Sequence, residues 1–410
     1  MPNNMTINSS CRACHNNLVK IIDLGAHPPS NAFLSKKHLN DPEERFPLEV
    51  HLCENCNLAQ LIHVVDKNLM FRDYIYFSSL MPKLSDHFQK YAEDVIKRFL
   101  QPNDLVVELG SNDGVLLKYF KGKGFRIVGI DPAINIAKLA NERGIETIPE
   151  FFSSDIVEKI ISSKGKAKAI IGNNVIAHID NYDDLWGGIT RLLDARGVFV
   201  LEAPYLVDMF ENLTFDTIYH EHLSYLAVRP LLKQAKKFGL EILDAQIVPS
   251  QGQSLRLFIG HQGAHKIHPS VEKLVAKELV LGLDKKGVYL ELARKIADCK
   301  SRVTSLFIAE KALGKKLAAC GAPAKGNTVL NYYGLDQSIL SFALDDIPTK
   351  QGLYTPGTHI PVVGREYADS HLPHYYLLLA WNYAHVILGK EKKFLSSGGK
   401  FVLPNGKILP

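Results

Sequence analysis

Leu105-Val-Val-Glu-Leu-Gly-Ser-Asn-Asp-Gly114, with Phe125-Arg-Ile-Val-Gly-Ile-Asp131 shortly after it, decides the fold. The first run is apolar apart from one acid, too short to be a buried helix, and ends in a glycine-containing turn. Residues 115–120 have helical spacing, and the second run is again short and apolar. Strand, turn, helix and strand in that order make a βαβ unit, since parallel strands need a crossover. Outward from it, apolar runs at 167–172 and 197–202, with 189–193 in the helix between them, predict a parallel sheet with helices on both faces. A polar helix over about 285–315 then leads into Lys316-Leu-Ala-Ala-Cys-Gly321, a second glycine turn, and an apolar run over 339–346. The expected class is α/β, with two Rossmann-like domains in succession behind a smaller N-terminal module.

The turn Glu108-Leu-Gly-Ser-Asn-Asp-Gly114 carries a cofactor argument. Gly110 and Gly114 let the backbone turn sharply and approach a ligand, and Asp131, closing the second strand, can accept hydrogen bonds from two ribose hydroxyls. The spacing is G-x3-G, without the third glycine of a dinucleotide site, and Glu108 stands two residues before the first glycine. This fits S-adenosylmethionine (SAM) better than NAD, with Glu108 near the sulfonium end and Asn112 where many methyltransferase turns carry glycine. After the next strand, Gly172-Asn-Asn-Val-Ile-Ala-His178 sets Asn173 and His178 at the carboxyl edge of the sheet, where ligands of open α/β sheets bind.

Four of the six cysteines fall in two C-x2-C pairs, Cys11/Cys14 and Cys53/Cys56, each suited to one edge of a tetrahedral Zn²⁺. Four thiolates leave no open coordination position, so the metal is expected to be structural. It would close a module with too few apolar residues to fold alone. The 38 residues from His15 to Leu52 exceed a ribbon loop, and Pro28, Pro29 and the charged residues 41–45 mark an insertion.

Across 410 residues, 48 Lys and Arg against 43 Asp and Glu leave +5, too small an excess to imply nucleic acid. The start lacks a basic and then apolar leader, and no segment reaches about 18 uncharged apolar residues. The chain is therefore expected to be cytoplasmic, without a membrane partner, as a monomer or small homo-oligomer.

Tyr219-His220-Glu221-His222 is the densest polar run. On a turn, Tyr219 and His222 share a side; on a strand they would oppose one another. His222 is a candidate general base, His220 its rival, and Glu221 a candidate to orient a neighbouring group. Gly321-Ala-Pro-Ala-Lys-Gly-Asn-Thr328 nearly copies a Walker A loop, but Lys325 precedes the second glycine, which argues against ATP hydrolysis. A pyrophosphate-binding turn remains, with Lys325 and helix N–H groups on the diphosphate and Asp345 or Asp346 on a ribose.

The paired cysteine module, Tyr74-Ile-Tyr-Phe-Ser-Ser79, ELGSNDG, YHEHLSY, Gln251-Gly-Gln-Ser-Leu-Arg256 and GAPAKGN together resemble the SAM-dependent C-methyltransferases of nucleotide-linked deoxysugars, over nearly the whole chain. The resemblance implies a zinc-binding module (1–70), a SAM-binding methyltransferase domain (71–250) and a C-terminal Rossmann-like domain (251–410), with a dTDP- or GDP-linked 4-keto deoxysugar between the last two. It implies that His222 abstracts the C3 proton, that Tyr219 and Tyr76 line the keto oxygen or the reacting methyl, and that Glu221 holds position or charge. Ser254, Arg256, Lys325 and Asn327 are the implied substrate contacts. Two other classes fit parts of the chain. An RNA methyltransferase would need a basic stripe that the balanced charge does not supply, and a non-catalytic SAM-binding scaffold leaves the YHEH run without a purpose.

Overall fold

The computed structural model describes residues 4–72, 74, 78–80, 82–250 and 252–409; Tyr76 lies outside the described residues. The ELGSNDG strand, Leu105–Leu109, is buried along its whole length at the middle of a seven-stranded sheet. Val106 packs with Phe88, Tyr91 and Phe120 on one face, while Leu105, Val107 and Leu109 pack with Ile156, Ile160 and Trp186 on the other. A strand covered on both faces has no polar alternation, which is why it reads as an apolar run. The spatial order is Leu240–Val248, Ser254–His261, Leu193–Pro204, Ala167–Asn173, Leu105–Leu109, Arg126–Ile130 and Thr147–Ile148. The last five are mutually parallel, and the strand order reverses beside Leu105–Leu109, leaving a crevice at the carboxyl ends.

Two features depart from the sequence expectation. The sheet is mixed: Ser254–His261 runs antiparallel to both Leu193–Pro204 and Leu240–Val248. It also belongs to the central sheet, although the boundary expected at 250/251 put it in the C-terminal domain. The short 249–253 connection leaves no room for a crossover and makes the two strands a hairpin.

Helices Ser270–Leu281 and Lys286–Ala312 lead to a six-stranded C-terminal sheet ordered Val362–Val363, Ala343–Leu344, Leu317–Cys320, Tyr375–Leu378, Lys400–Val402 and Ile408–Leu409. All but the last strand are parallel, giving a second Rossmann-like unit. None of the described helices is long and apolar enough to cross a membrane.

The N-terminal module is an antiparallel sheet of Leu18–His27, Phe46–Cys53 and Ala59–Leu61. Its edge is completed from far away in sequence by Ser224–Tyr225, just after the YHEH run. The inserted segment between the cysteine pairs reaches the C-terminal unit: Leu34 and Tyr354 exchange backbone hydrogen bonds at 3.0 and 2.8 Å, and Glu43 meets His359 at 2.7 Å.

Candidate active site

The ELGSNDG turn bends through positive φ at Gly110 (63°), Asn112 (49°) and Gly114 (77°). A Cβ at Gly110 would stand 2.9 Å from Val175 Cγ2, so the close approach is to the next loop. Asp131 Oδ2 accepts from the Asn112 N–H at 2.8 Å and Oδ1 from the Ala133 N–H at 2.9 Å. Each oxygen keeps a lone pair for a further donor. Burial raises the Asp131 carboxyl, partly offset by those two bonds. Glu108 is buried, its carboxyl pushed well up by burial and then by the charges of Asp131 and Asp113.

Glu108 Oε2, both polar atoms of the Asn173 amide and His178 Nε2 are buried without a hydrogen-bond partner among the described residues. All three residues, with Gly110 and Asn112, line one cavity of about 1530 Å³. Unpaired buried polar atoms are costly unless a ligand satisfies them. A carboxylate facing such a space suits a cationic ligand, and an acid at the second strand end suits a ribose; both belong to SAM. Gly114 is not on the cavity wall. A Cβ there would meet Ile145 Cγ2 at 2.7 Å, so this glycine serves packing under the turn and the expected ligand approach is corrected.

Tyr219 and His222 of the YHEH run line the same cavity, and the run forms a turn closed by His222 N–H to the Tyr219 carbonyl at 2.9 Å. His222 Nδ1 lies 2.9 Å from the Thr217 carbonyl, which can only accept, so the proton sits on Nδ1. Nε2 is therefore the free lone pair and accepts from the Tyr219 hydroxyl at 2.8 Å. Burial is the main cause lowering the His222 pKa to about 4; the Thr217 bond opposes it and the charge of Lys325 adds to it. The imidazole is thus neutral at physiological pH. The His178 ring lies 5.0 Å from that of His222, and burial likewise holds it neutral.

His220 faces away from the cavity, with Nε2 3.0 Å from the Phe46 carbonyl inside the module interface. Glu221 does not line the cavity either. Its oxygens accept from Asn31 Nδ2 at 2.6 Å and the Tyr74 hydroxyl at 2.9 Å, two residues that do line it. Burial raises its pKa to about 7, against both bonds.

The C-terminal unit contributes Gly321, Lys325, Asp345, Asp346 and Lys350 to the same cavity. The turn into helix Ala324–Tyr333 passes Gly321 at φ 87°, where a Cβ would strike Ala380 at 2.7 Å. Asp345 repeats the Asp131 arrangement, with Oδ2 on the Ala322 N–H at 2.8 Å and Oδ1 on the Ile347 N–H at 2.9 Å. Lys325 Nζ lies 3.8 Å above the Trp381 ring, and Trp381 donates to the buried Asp216 carboxylate at 2.5 Å.

Three expected substrate contacts are not brought to the cavity. Arg256 is consumed by Glu202, at 2.7 and 2.8 Å, and stacks 4.0 Å above Tyr91. Ser254 donates to the Ser250 carbonyl at 2.8 Å inside the hairpin. Asn327 donates to the Ser30 carbonyl at 2.7 Å, tying the C-terminal helix to the module. The sequence reading missed Asn31 and Lys350 and gave Tyr74 no role of its own. Asn31 follows the Pro28-Pro29 signal that had marked only an insertion.

The four cysteine Sγ atoms of the module lie within 4.8 Å of one another, with Cys11–Cys56 and Cys14–Cys53 both at 3.5 Å. A tetrahedral Zn–S shell at about 2.3 Å requires S···S of about 3.8 Å, so small side-chain shifts bring the set to Zn²⁺ geometry.

A doubly wound sheet with an acid at each of two strand ends, and a cavity edge carrying unsatisfied polar atoms, fits a SAM-dependent methyltransferase. Family profiles match in three consecutive parts: "Putative zinc binding domain" over 11–71, "Methyltransferase domain" over 84–245 and "C-methyltransferase C-terminal domain" over 249–405. The C-methyltransferase NovU of Streptomyces niveus is 36% identical over 397 residues, covering 96% of this chain and 94% of its own. An uncharacterized methyltransferase of Schizosaccharomyces pombe is 27% identical over 183 residues, covering 42% of this chain and 64% of its own. Among solved structures, magnesium protoporphyrin IX methyltransferase from Synechocystis is 13% identical with a TM-score of 0.34, covering 43% of this chain and 83% of its own. The chain belongs to the C-methyltransferase family that includes NovU. It is a SAM-dependent C-methyltransferase with a zinc-binding four-cysteine module.

Proposed function

We propose that the protein transfers a methyl group from SAM to C3 of a nucleotide-linked 4-keto-6-deoxysugar, dTDP- or GDP-linked, in branched deoxysugar biosynthesis. The observation that carries this reading is the fixed tautomer of His222, whose Nε2 lone pair stands in the wall of the cavity that also holds the cofactor turn. A sugar carbon is nucleophilic only as an enolate, so the chain must remove a proton beside a ketone and stabilise the oxygen left behind. SAM, when bound, supplies the electrophilic methyl.

Nε2 takes the C3 proton; the Tyr219 hydroxyl, turning from Nε2 to the 4-keto oxygen, frees that lone pair and donates to the developing oxyanion. Glu221 keeps Tyr74 and Asn31 in place at the cavity wall. Lys325 and Lys350, with the first N–H groups of helix Ala324–Tyr333, hold the diphosphate, and Asp345 receives the nucleotide ribose. Glu108, Asn173 and His178 contact SAM, and Asp131 receives its ribose. Enclosing donor and acceptor between two sheets orients them for in-line transfer.

The test compares His222→Ala with His220→Ala. The first should keep SAM and sugar-nucleotide affinity while turnover falls by roughly 10²–10⁴, as for loss of a general base. It should also abolish exchange of the C3 hydrogen in D₂O with S-adenosylhomocysteine bound, whereas His220→Ala keeps both activities. Full activity in the His222 variant would end the enolate reading through this histidine.

A further inference from the structure

Arg12 lies between the cysteines of the first metal pair, yet its side chain leaves the knuckle and is buried, 5% exposed. Nη1 donates to the Leu223 carbonyl and to Ser224 Oγ at 3.1 Å. Nη2 donates to the Leu61 carbonyl at 2.7 Å and lies 3.4 Å from the Asp180 carboxylate. Its root is tied to the metal site: the Arg12 N–H donates to Gln60 Oε1 at 3.0 Å, and Gln60 Nε2 donates to Cys11 Sγ at 3.1 Å.

The residues it grips adjoin the reaction site. Leu223 follows His222 in the chain, and Asp180 stands two residues after His178. The two imidazoles face each other at 5.0 Å on the cavity wall. One side chain, anchored at a metal knuckle, therefore holds both histidine-bearing loops. Burying a guanidinium carries a desolvation cost that a purely packing interface would avoid with an apolar residue. Its planar fork serves acceptors on three separate segments at once, which the point charge of lysine cannot do.

We infer that Arg12 is a positioning residue for methyl transfer, locking the His178 and His222 loops to the cysteine module so that the His222 imidazole keeps its place against the substrate. The inference rests on the reading of His222 as base. It also gives the module a part in turnover as well as in folding.

The experiment uses the full-length, zinc-loaded protein with Arg12→Lys and Asp180→Asn. Asp180 is partly exposed, so its variant takes the charge from one anchor with little risk to folding. Both variants should keep one zinc by metal analysis and wild-type SAM affinity and KM. Turnover should fall about 10- to 100-fold for Arg12→Lys, the scale set by an ångström of misplacement, and less for Asp180→Asn. Histidine ¹⁵N spectra should show His222 losing its single Nδ1–H tautomer in Arg12→Lys. Wild-type turnover and an unchanged His222 signal at full zinc occupancy overturn the proposal. So does an Arg12→Lys protein that fails to fold beside an Asp180→Asn protein of wild-type turnover. His222→Ala run in parallel separates the two readings: if it stays active the base assignment falls, while the spectra still report on what Arg12 holds.

Discussion

Replacing Asp131 by Ala tests the cofactor end of the cavity with a magnitude that follows from its hydrogen bonds. The carboxylate accepts the N–H groups of Asn112 and Ala133 at 2.8 and 2.9 Å, one on each oxygen. Ala133 is buried, so its N–H is left unpaired in the variant, at a cost of about 1–3 kcal/mol to folding; Asn112 is half-buried and can reach water. Binding loses the remaining lone pairs, two charge-assisted bonds to ribose hydroxyls. After rewetting of the hydroxyls a net loss of about 1–3 kcal/mol is expected, or roughly 5- to 160-fold in Kd. Asp131→Asn keeps one acceptor oxygen for the turn and should fall between the two. Calorimetry with S-adenosylhomocysteine isolates the ribose contribution, because its sulfur is uncharged. A folded Ala variant that binds it with wild-type affinity would refute the site; one that loses sugar-nucleotide affinity instead would mean the two ends of the cavity have been exchanged.

Glu108→Gln should weaken SAM and flatten its pH dependence: burial keeps the carboxyl protonated well above the usual range, a cationic ligand favours its ionised form, and affinity in the wild type therefore rises with pH in calorimetric titrations. His27, His220 and His222 are each lowered mainly by burial from 6.5 to about 4. The folded state binds fewer protons than the unfolded one between those values, so their contribution is full above pH 6.5 and lost as pH falls toward 4. The urea midpoint should drop between pH 7 and 5, and an unchanged midpoint counts against the burial. Metal analysis should find about one zinc per chain; Cys53→Ser should lower it together with the melting temperature, and a chelated, reduced protein that melts like the native one would remove the metal from the fold.

The features legible in the sequence are those whose physics is local. The ELGSNDG turn needs positive φ within a few residues, and glycine and asparagine announce it. The cysteine pairs announce a tetrahedral ligand set by spacing alone. The YHEH turn places Tyr219 and His222 on one side because i and i+3 meet in any tight turn. Pairings between distant segments were not legible. The edge strand Ser224–Tyr225 joins Ala59–Gln60, more than 160 residues earlier, and nothing in a two-residue strand signals that partner. Arg256, which the resemblance implies as a substrate contact, is another such pairing: the neighbouring strand supplies Glu202, which neutralises it, and that partner is not legible from the arginine's own segment.

These distant pairings bear on why three units surround one site. On the proposed mechanism, an enolate survives only if water is kept from it and His222 stays in place. The central sheet alone supplies His178, His222 and the cofactor turn, but its loops end at an open crevice. The module closes one side, reaching His222 through Arg12 at Leu223 and Glu221 through Asn31. The C-terminal unit closes the other with Lys325 and Asp345, and Thr328 Oγ1 donates to the Ile218 carbonyl at 3.0 Å, one residue from the Thr217 carbonyl that fixes the His222 tautomer. The loop carrying His222 is thus gripped from both sides by units that hold neither His222 nor the cofactor turn. A lesion at either grip is expected to act on turnover before it acts on cofactor affinity, which is the opposite of what a lesion at Asp131 should do.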